Sequence, residues 1–349
     1  MPLQLQANFG GLRLDSPVIV GACPMSMNEN ARLELQDAGA GAIVLPSLFE
    51  EQVIEWSLQA GRPVSEQEKA ILAHSQRTRH NWACPDAESY LALVNRASTL
   101  QTIPIIASLN GFTAGGWMDF AGELQEAGAA AIELNVHHGR PSDFQSSAEI
   151  ETTILDAVRD VNLAIRIPLF VKLGPHFTSI PHIARQLLSG VSGIVLHGRA
   201  PTMDLCLETL KLVSRWRLTR SDEEPESLNM LMQVHGYCPA MPLAASGGIG
   251  RADHLVKALL SGADVAMVTS AIYREGPDVI RQMLDGLMRF MEAHDMKTMF
   301  DLQTQRPLEF SSEEDRAAFI TALTAHLNAR ESQATNPNPQ SDQWGHTTA

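Results

Sequence analysis

Eight short apolar runs, punctuated alternately by proline and glycine, constrain the fold of this 349-residue chain more than any other feature. Four begin just after a proline: Pro17-Val18-Ile19-Val20, Pro104-Ile105-Ile106-Ala107, Pro168-Leu169-Phe170-Val171-Lys172 and Pro242-Leu243-Ala244-Ala245-Ser246. Four others follow a glycine: Gly39 before Ala42-Ile43-Val44-Leu45, Gly128 before Ala131-Ile132-Glu133-Leu134, Gly190 before Ile194-Val195-Leu196, and Gly262 before Val265-Ala266-Met267-Val268. Proline suits the first residue of a strand, where no ladder donor is needed. Glycine suits the end of the helix before a strand.

The two kinds alternate, and 20 to 24 residues separate each proline from the next such glycine. That interval holds one strand, one loop and one helix. Near-continuous apolar runs alternating with helical patterns argue for parallel βαβ units covered on both faces. Eight strands in four doublets predict an α/β fold, a closed (β/α)8 TIM barrel. An open doubly wound sheet is the competitor, but it seldom reaches eight regular units without a Gly-rich nucleotide turn. Helical faces agree with the barrel, for example Trp117, Ala121, Leu124 and Gly128, or Val279, Met283, Leu287 and Met291.

Residues 1–16 read as an N-terminal β-hairpin turning at Gly10-Gly11, placed to plug the bottom of the barrel. Two long top-face excursions, 46–102 and 198–241, interrupt the repeat; the second carries Ser221-Asp222-Glu223-Glu224-Pro225, an acidic helix start. Loops of that length on a barrel's top face usually shape a substrate site. The expected division is one domain over 1–330 and a polar, disordered tail over 331–349.

Charge narrows the partners. Lys and Arg number 26 against 40 Asp and Glu, and a net charge of −14 repels polyphosphate backbones and anionic lipid, so no nucleic acid is expected. The start lacks a signal peptide's basic and apolar segments, and no stretch has the ~18 apolar residues of a membrane helix. A cytoplasmic protein with no membrane partner and a small-molecule substrate is the expectation. Cys23, Cys84, Cys206 and Cys238 have no CxxC spacing, which argues against a zinc site or a disulfide framework. His74, His80, His176, His182 and His235 likewise lack metal-ligand spacing.

Barrel chemistry sits at the C-terminal ends of strands. Strand 7 ends Ser246-Gly247-Gly248-Ile249 and strand 8 ends Val268-Thr269-Ser270, in the order of a phosphate cradle; the alternative is a plain tight turn. Lys172 closes strand 5, either as the cation a flavin requires near N1 and the C2 carbonyl or as a strand-end charge paired with a carboxylate. Strand 4 ends Asn135-Val136-His137-His138-Gly139, offering an amide and two imidazoles; each histidine is a candidate general base or a loop cap.

These residues, over roughly 3–300, resemble the dihydroorotate dehydrogenase family. Leu12-Arg13-Leu14-Asp15-Ser16-Pro17-Val18, Gly39-Ala40-Gly41-Ala42-Ile43-Val44-Leu45, Glu133-Leu134-Asn135, Phe170-Val171-Lys172-Leu173 and Ser246-Gly247-Gly248-Ile249 fall in family order. Ser47-Leu48-Phe49-Glu50-Glu51-Gln52 and Ala107-Ser108-Leu109-Asn110-Gly111 with Gly115-Gly116-Trp117 are similar to the subgroup called dihydroorotate dehydrogenase-like proteins.

The resemblance implies an FMN-dependent CH–CH oxidoreductase, oxidation of dihydroorotate to orotate in pyrimidine biosynthesis, and a homodimer. It implies cofactor contacts from Ala22, Ser47, Asn135, Lys172, Ser246, Gly247, Gly248, Thr269 and Ser270, and catalytic roles for Asn135, Lys172 and His138. The chain departs from the family at three places. Pro46 stands for a substrate lysine, His138 for the Cys or Ser base, and His197-Gly198 for an asparagine. Losing a lysine and an amide removes charge-assisted hydrogen bonds worth ~1.5–3 kcal/mol each when buried, so the flavin cradle is better kept than the substrate clamp. The family's membrane-associated class carries an N-terminal amphipathic extension, and here the hairpin starts at residue 3. Two other classes compete: a ligand-binding barrel without redox chemistry, and a phosphate-recognising lyase or isomerase using Lys172 as a Schiff-base group.

Overall fold

All eight apolar runs are strands. A computed structural model describes residues 3–75, 84, 86–111, 115–136, 146–175, 177–196, 202–215, 217–220 and 224–306, with scattered positions between 316 and 324. The N-terminal hairpin is β1 (Ala7–Phe9) and β2 (Leu12–Leu14), antiparallel about Gly10-Gly11. Next come β3 (Val18–Val20), β4 (Ala42–Val44), β5 (Leu48–Phe49), β6 (Ile105–Asn110), β7 (Ala131–Asn135), β8 (Leu169–Leu173) and β9 (Gly193–Leu196). A second hairpin, β10 (Thr202–Cys206) with β11 (Lys211–Arg215), precedes β12 (Leu243–Ser246) and β13 (Val265–Val268).

Parallel pairing runs β3–β4–β6–β7–β8–β9–β12–β13 and returns from β13 to β3, so the sheet is a closed eight-stranded barrel. Helices between the strands cover its outside. Gly39, Gly128 and Gly262 follow helix ends with φ of 101°, 104° and 117°, where a side chain would be strained, whereas Gly190 makes its turn without a positive φ. The helix Asp278–Ala293 buries Val279, Met283, Leu287 and Met291 as its spacing predicted. Ala121 and Leu124 are buried on Phe120–Glu126; the Trp117 side chain lies outside the described set.

The hairpin closes the N-terminal end of the barrel. Phe9 is fully buried and stacks on Phe170 with centroids 4.1 Å apart, inside an apolar cluster with Leu12, Leu14, Ile19, Val44, Ile106 and Val195. Gly193 leaves room for that ring, since a Cβ there would meet Phe9 at 2.8 Å.

The first excursion holds β5, parallel to the end of β6, and the helices Glu50–Gln59, Glu66–Ser75 and Ala87–Leu100. The second contains the expected helix, Glu224–Tyr237, preceded by a β10–β11 hairpin that was not expected from the sequence. One face of that hairpin carries Met203, Leu205 and Leu212, with Leu207 and Leu210 at its tip, all exposed. Among the described residues no helix is long and apolar enough to cross a membrane. The four cysteines are free, as expected: Cys23, Cys84 and Cys238 are buried and Cys206 is half-buried. Contacts gather Met1–Arg306 into one unit and Pro307–Ala349 into another; residues 331–349 lie outside the described set.

Candidate active site

Strand periodicity decides what the barrel mouth contains. Inward residues recur every second position. Ile106, Ala131 and Phe170 belong to the interior apolar cluster, so Ser108 and Glu133 follow the first two inward one layer higher, and Asn110, Asn135 and Lys172 form the row at the strand ends above them. In the ladder Ser108 pairs with Glu133, Asn110 with Asn135, and Asn135 with Lys172. On β6, β7 and β8 the interior thus changes from hydrocarbon to hydroxyl, amide and charge within two to four residues.

These groups form a connected line. The Ser47 and Ser108 hydroxyls are 2.7 Å apart, Ser108 donates to Glu133 Oε1 at 3.1 Å, and Lys172 Nζ stands 3.7 Å from Glu133 Oε2. Glu133 has no solvent exposure, while the Lys172 side chain is 14% exposed. At 3.7 Å the ion pair is longer than a hydrogen bond. Lys172 therefore has the carboxylate neighbour that one reading of the sequence offered it. Beside this line, the buried Tyr90 hydroxyl donates to the Pro46 carbonyl at 2.6 Å and holds the chain just before Ser47. Burial pushes the Tyr90 hydroxyl far above its ordinary range.

Across the mouth, Gly247 and Gly248 turn with φ of 94° and 75° directly after β12. Two helices grip this turn from outside: Ser227 donates to the Ser246 carbonyl at 2.8 Å, and buried His254 Nδ1 lies 3.0 Å from the Gly248 carbonyl. In planar trans peptides the next N–H points opposite each carbonyl, so the N–H groups of Gly247 and Ile249 face away from those helices. Thr269 follows β13 and packs on the end of β3, where a Cβ at Gly21 would meet its hydroxyl at 2.6 Å. Ala22, half-buried, comes next along that chain. Ser270 opens the helix Ser270–Glu275 and accepts from the Thr219 N–H at 3.0 Å, so its hydroxyl already serves the second excursion; Arg274 donates to the Thr219 carbonyl at 2.8 Å.

Cys23, next in the chain after Ala22, is buried. Burial raises its thiol above the ordinary value, opposed by hydrogen bonds from Ser26, Met25 and Tyr273 and by the Lys172 ammonium. That thiol is thus kept protonated and is a poor nucleophile. The loop carrying it is pinned by Arg32, buried and donating to the Ser26 and Met27 carbonyls and to Gln101.

Ser47, Asn135 and Lys172 thus meet on one side of the mouth, and Ala22, Ser246, Gly247, Gly248, Thr269 and Ser270 on the other. His137, His138 and the His197-Gly198 segment lie outside the described residues. Glu133, Ser108, Asn110 and Cys23 were given no site role from sequence. An acidic residue inside an otherwise apolar strand run was the available signal for Glu133. A cleft of about 790 Å³ opens at the opposite, N-terminal end, lined in part by Asn8, Arg13, Asp264 and Phe300; its place away from the strand C-termini separates it from the chemistry.

These residues fit a flavin phosphate and ring. The glycine turn would offer backbone N–H groups to a phosphate, and the amide and ammonium row would offer donors to a pyrimidine edge.

The chain is similar to several known proteins. The catalytic chain of dihydroorotate dehydrogenase B (NAD(+)) from Thermoplasma acidophilum is 21% identical over 301 residues, 85% of this chain and 97% of that one. Its counterpart from Listeria monocytogenes is 26% identical over 213 residues, 58% of this chain and 68% of that one. Dihydroorotate dehydrogenase A (fumarate) of Lactobacillus helveticus is 26% identical over 179 residues, 50% of this chain and 58% of that one. The sequence model of the family described as dihydroorotate dehydrogenase matches residues 68–291, well over half of the chain, and the protein therefore belongs to that family of CH–CH oxidoreductases.

Proposed function

We propose that this protein binds FMN at the barrel mouth and oxidises dihydroorotate to orotate, a step of pyrimidine biosynthesis. The observation that carries this reading is the layer of Asn110, Asn135 and Lys172 at adjacent strand ends, facing a glycine turn whose carbonyls are held from outside. When bound, FMN supplies the hydride acceptor at N5.

The residues around it have separable tasks. The turn at Gly247-Gly248 and the start of the segment Thr269-Ser270 hold the phosphate through backbone N–H groups, with Ala22 beside them. Lys172 opposes negative charge at the pyrimidine edge. Asn135 both donates and accepts, which orients a planar ring and its substrate. His138, at the family's Cys or Ser position, takes the substrate C5 proton while hydride leaves C6. A substrate carboxylate and the flavin would share this mouth without the lysine that Pro46 replaces.

Pro46 favours a second reading, a related cyclic or unsaturated substrate, because its carbonyl is tied to buried Tyr90 and the end of β4 offers no ammonium there. The proposed assembly is a cytoplasmic homodimer. The exposed apolar face of the β10–β11 hairpin supports self-association, since an isolated two-stranded hairpin is marginal in water.

Anaerobic mixing with dihydroorotate tests the reaction. Loss of the flavin's visible absorbance, with orotate formed, is the expected outcome. A flavin-loaded protein that dihydroorotate leaves fully oxidised acts on another substrate.

A further inference from the structure

A carboxylate with no solvent exposure lies one layer below the proposed flavin site. Glu133 Oε1 accepts from Ser108 at 3.1 Å, Oε2 has no hydrogen-bond partner among the described residues, and the Lys172 ammonium is 3.7 Å away. Such a pair is a poor device for stability, because desolvating two charges offsets their attraction and well-packed apolar residues usually do as well. The hydroxyls add a second constraint. A serine has one proton to give, and Ser108 gives its proton to Glu133. In the 2.7 Å contact Ser47 must therefore be the donor, which leaves only its lone pairs for whatever binds above it.

We infer that Glu133 is a positioning residue that sets the balance between oxidised and reduced flavin, an inference that rests on the FMN reading above. Reduction places negative charge at the pyrimidine edge, which the Lys172 ammonium attracts and the carboxylate behind it opposes. Glu133 also fixes the direction of the hydroxyl chain that ends at Ser47. The charge effect governs the sign, because an ion–ion interaction in a half-buried site outweighs the reorientation of a neutral hydroxyl.

The test is redox titration of the bound flavin in wild type, Glu133→Gln, Lys172→Ala and the double variant, a readout that needs no turnover. Lys172→Ala lowers the potential. Glu133→Gln raises it, with the reduced form favoured over the oxidised by roughly tenfold more than in wild type, or ~30 mV for a two-electron couple. The double variant, with neither charge, returns toward wild type. A structural role alone predicts the opposite sign for Glu133→Gln, since a misplaced ammonium and a missing one act alike. If the single glutamine variant does not fold, the double decides, because it leaves no lone buried charge: a potential above that of Lys172→Ala supports the inference, and one at or below it overturns it. Flavin binding with a Glu133→Gln potential at or below wild type overturns this inference alone. A wild-type protein that takes up no flavin overturns the cofactor reading, and this inference with it.

Discussion

The two ends of the barrel are built from the same strands and do opposite work. On β8, Phe170 points inward near the bottom and stacks on Phe9, while Lys172, two residues on, points inward at the mouth beside Glu133. On β6 the series is Ile106, Ser108, Asn110, and on β7 it is Ala131, Glu133, Asn135. The bottom is stabilised by burial of hydrocarbon and ring stacking. The mouth holds groups that are expensive to bury and that a ligand would satisfy. On these three strands stability and chemistry are separated by about one layer of side chains, so substitutions at the two ends should have separable effects.

The sharpest break between them is Phe9→Ala. Removing the stacked ring should lower the unfolding free energy by ~3–5 kcal/mol, read by denaturant titration, while flavin stays bound below the transition. Unchanged stability would mean that the hairpin is not the plug. At the mouth, Gly248→Leu should abolish flavin retention in a protein that still folds, because φ of 75° disfavours a side chain and its bulk takes the anion's place. A folded variant with its full flavin complement would move the phosphate elsewhere.

A smaller effect is expected at the proposed base. His138→Ala should slow turnover by ~10²-fold with flavin retained, and the acidic limb of kcat/KM should fall near the ordinary imidazole value of ~6.5. His137→Ala is the control, and wild-type rates from both variants would leave the loop without a base. The smallest effect belongs to the bottom, where burial raises the Asp264 carboxyl above its ordinary value despite Arg306 at 3.3 Å. A raised folded-state value favours the protonated carboxyl, so Asp264 contributes stability below the unfolded value of ~3.8 that is lost as pH rises through the folded one. Wild type compared with Asp264→Asn should therefore lose ground in unfolding experiments as pH rises from about 3.8. A gain over that interval would contradict the assignment.

The barrel itself was legible because proline and glycine mark where each strand begins, and those marks depend on backbone conformation, which the residues declare locally. The hairpin plug was legible for the same reason, at Gly10-Gly11. Less could be read at the mouth. Lys172, Asn135 and the glycine turn stand at strand ends and announce themselves, but Ser108 and Glu133 acquire meaning only when the register sets them side by side. A single sequence does not reveal that register. The β10–β11 hairpin was missed because its apolar residues are interrupted by Asp204, Glu208 and Lys211, which reads as a loop.

If the polar layer at the mouth is a flavin site, denaturing the purified protein releases a chromophore that can be identified and measured. The expected result is FMN at about one per chain, retained by wild type and lost by Gly248→Leu. A colourless protein that takes up no FMN when it is supplied would contradict it.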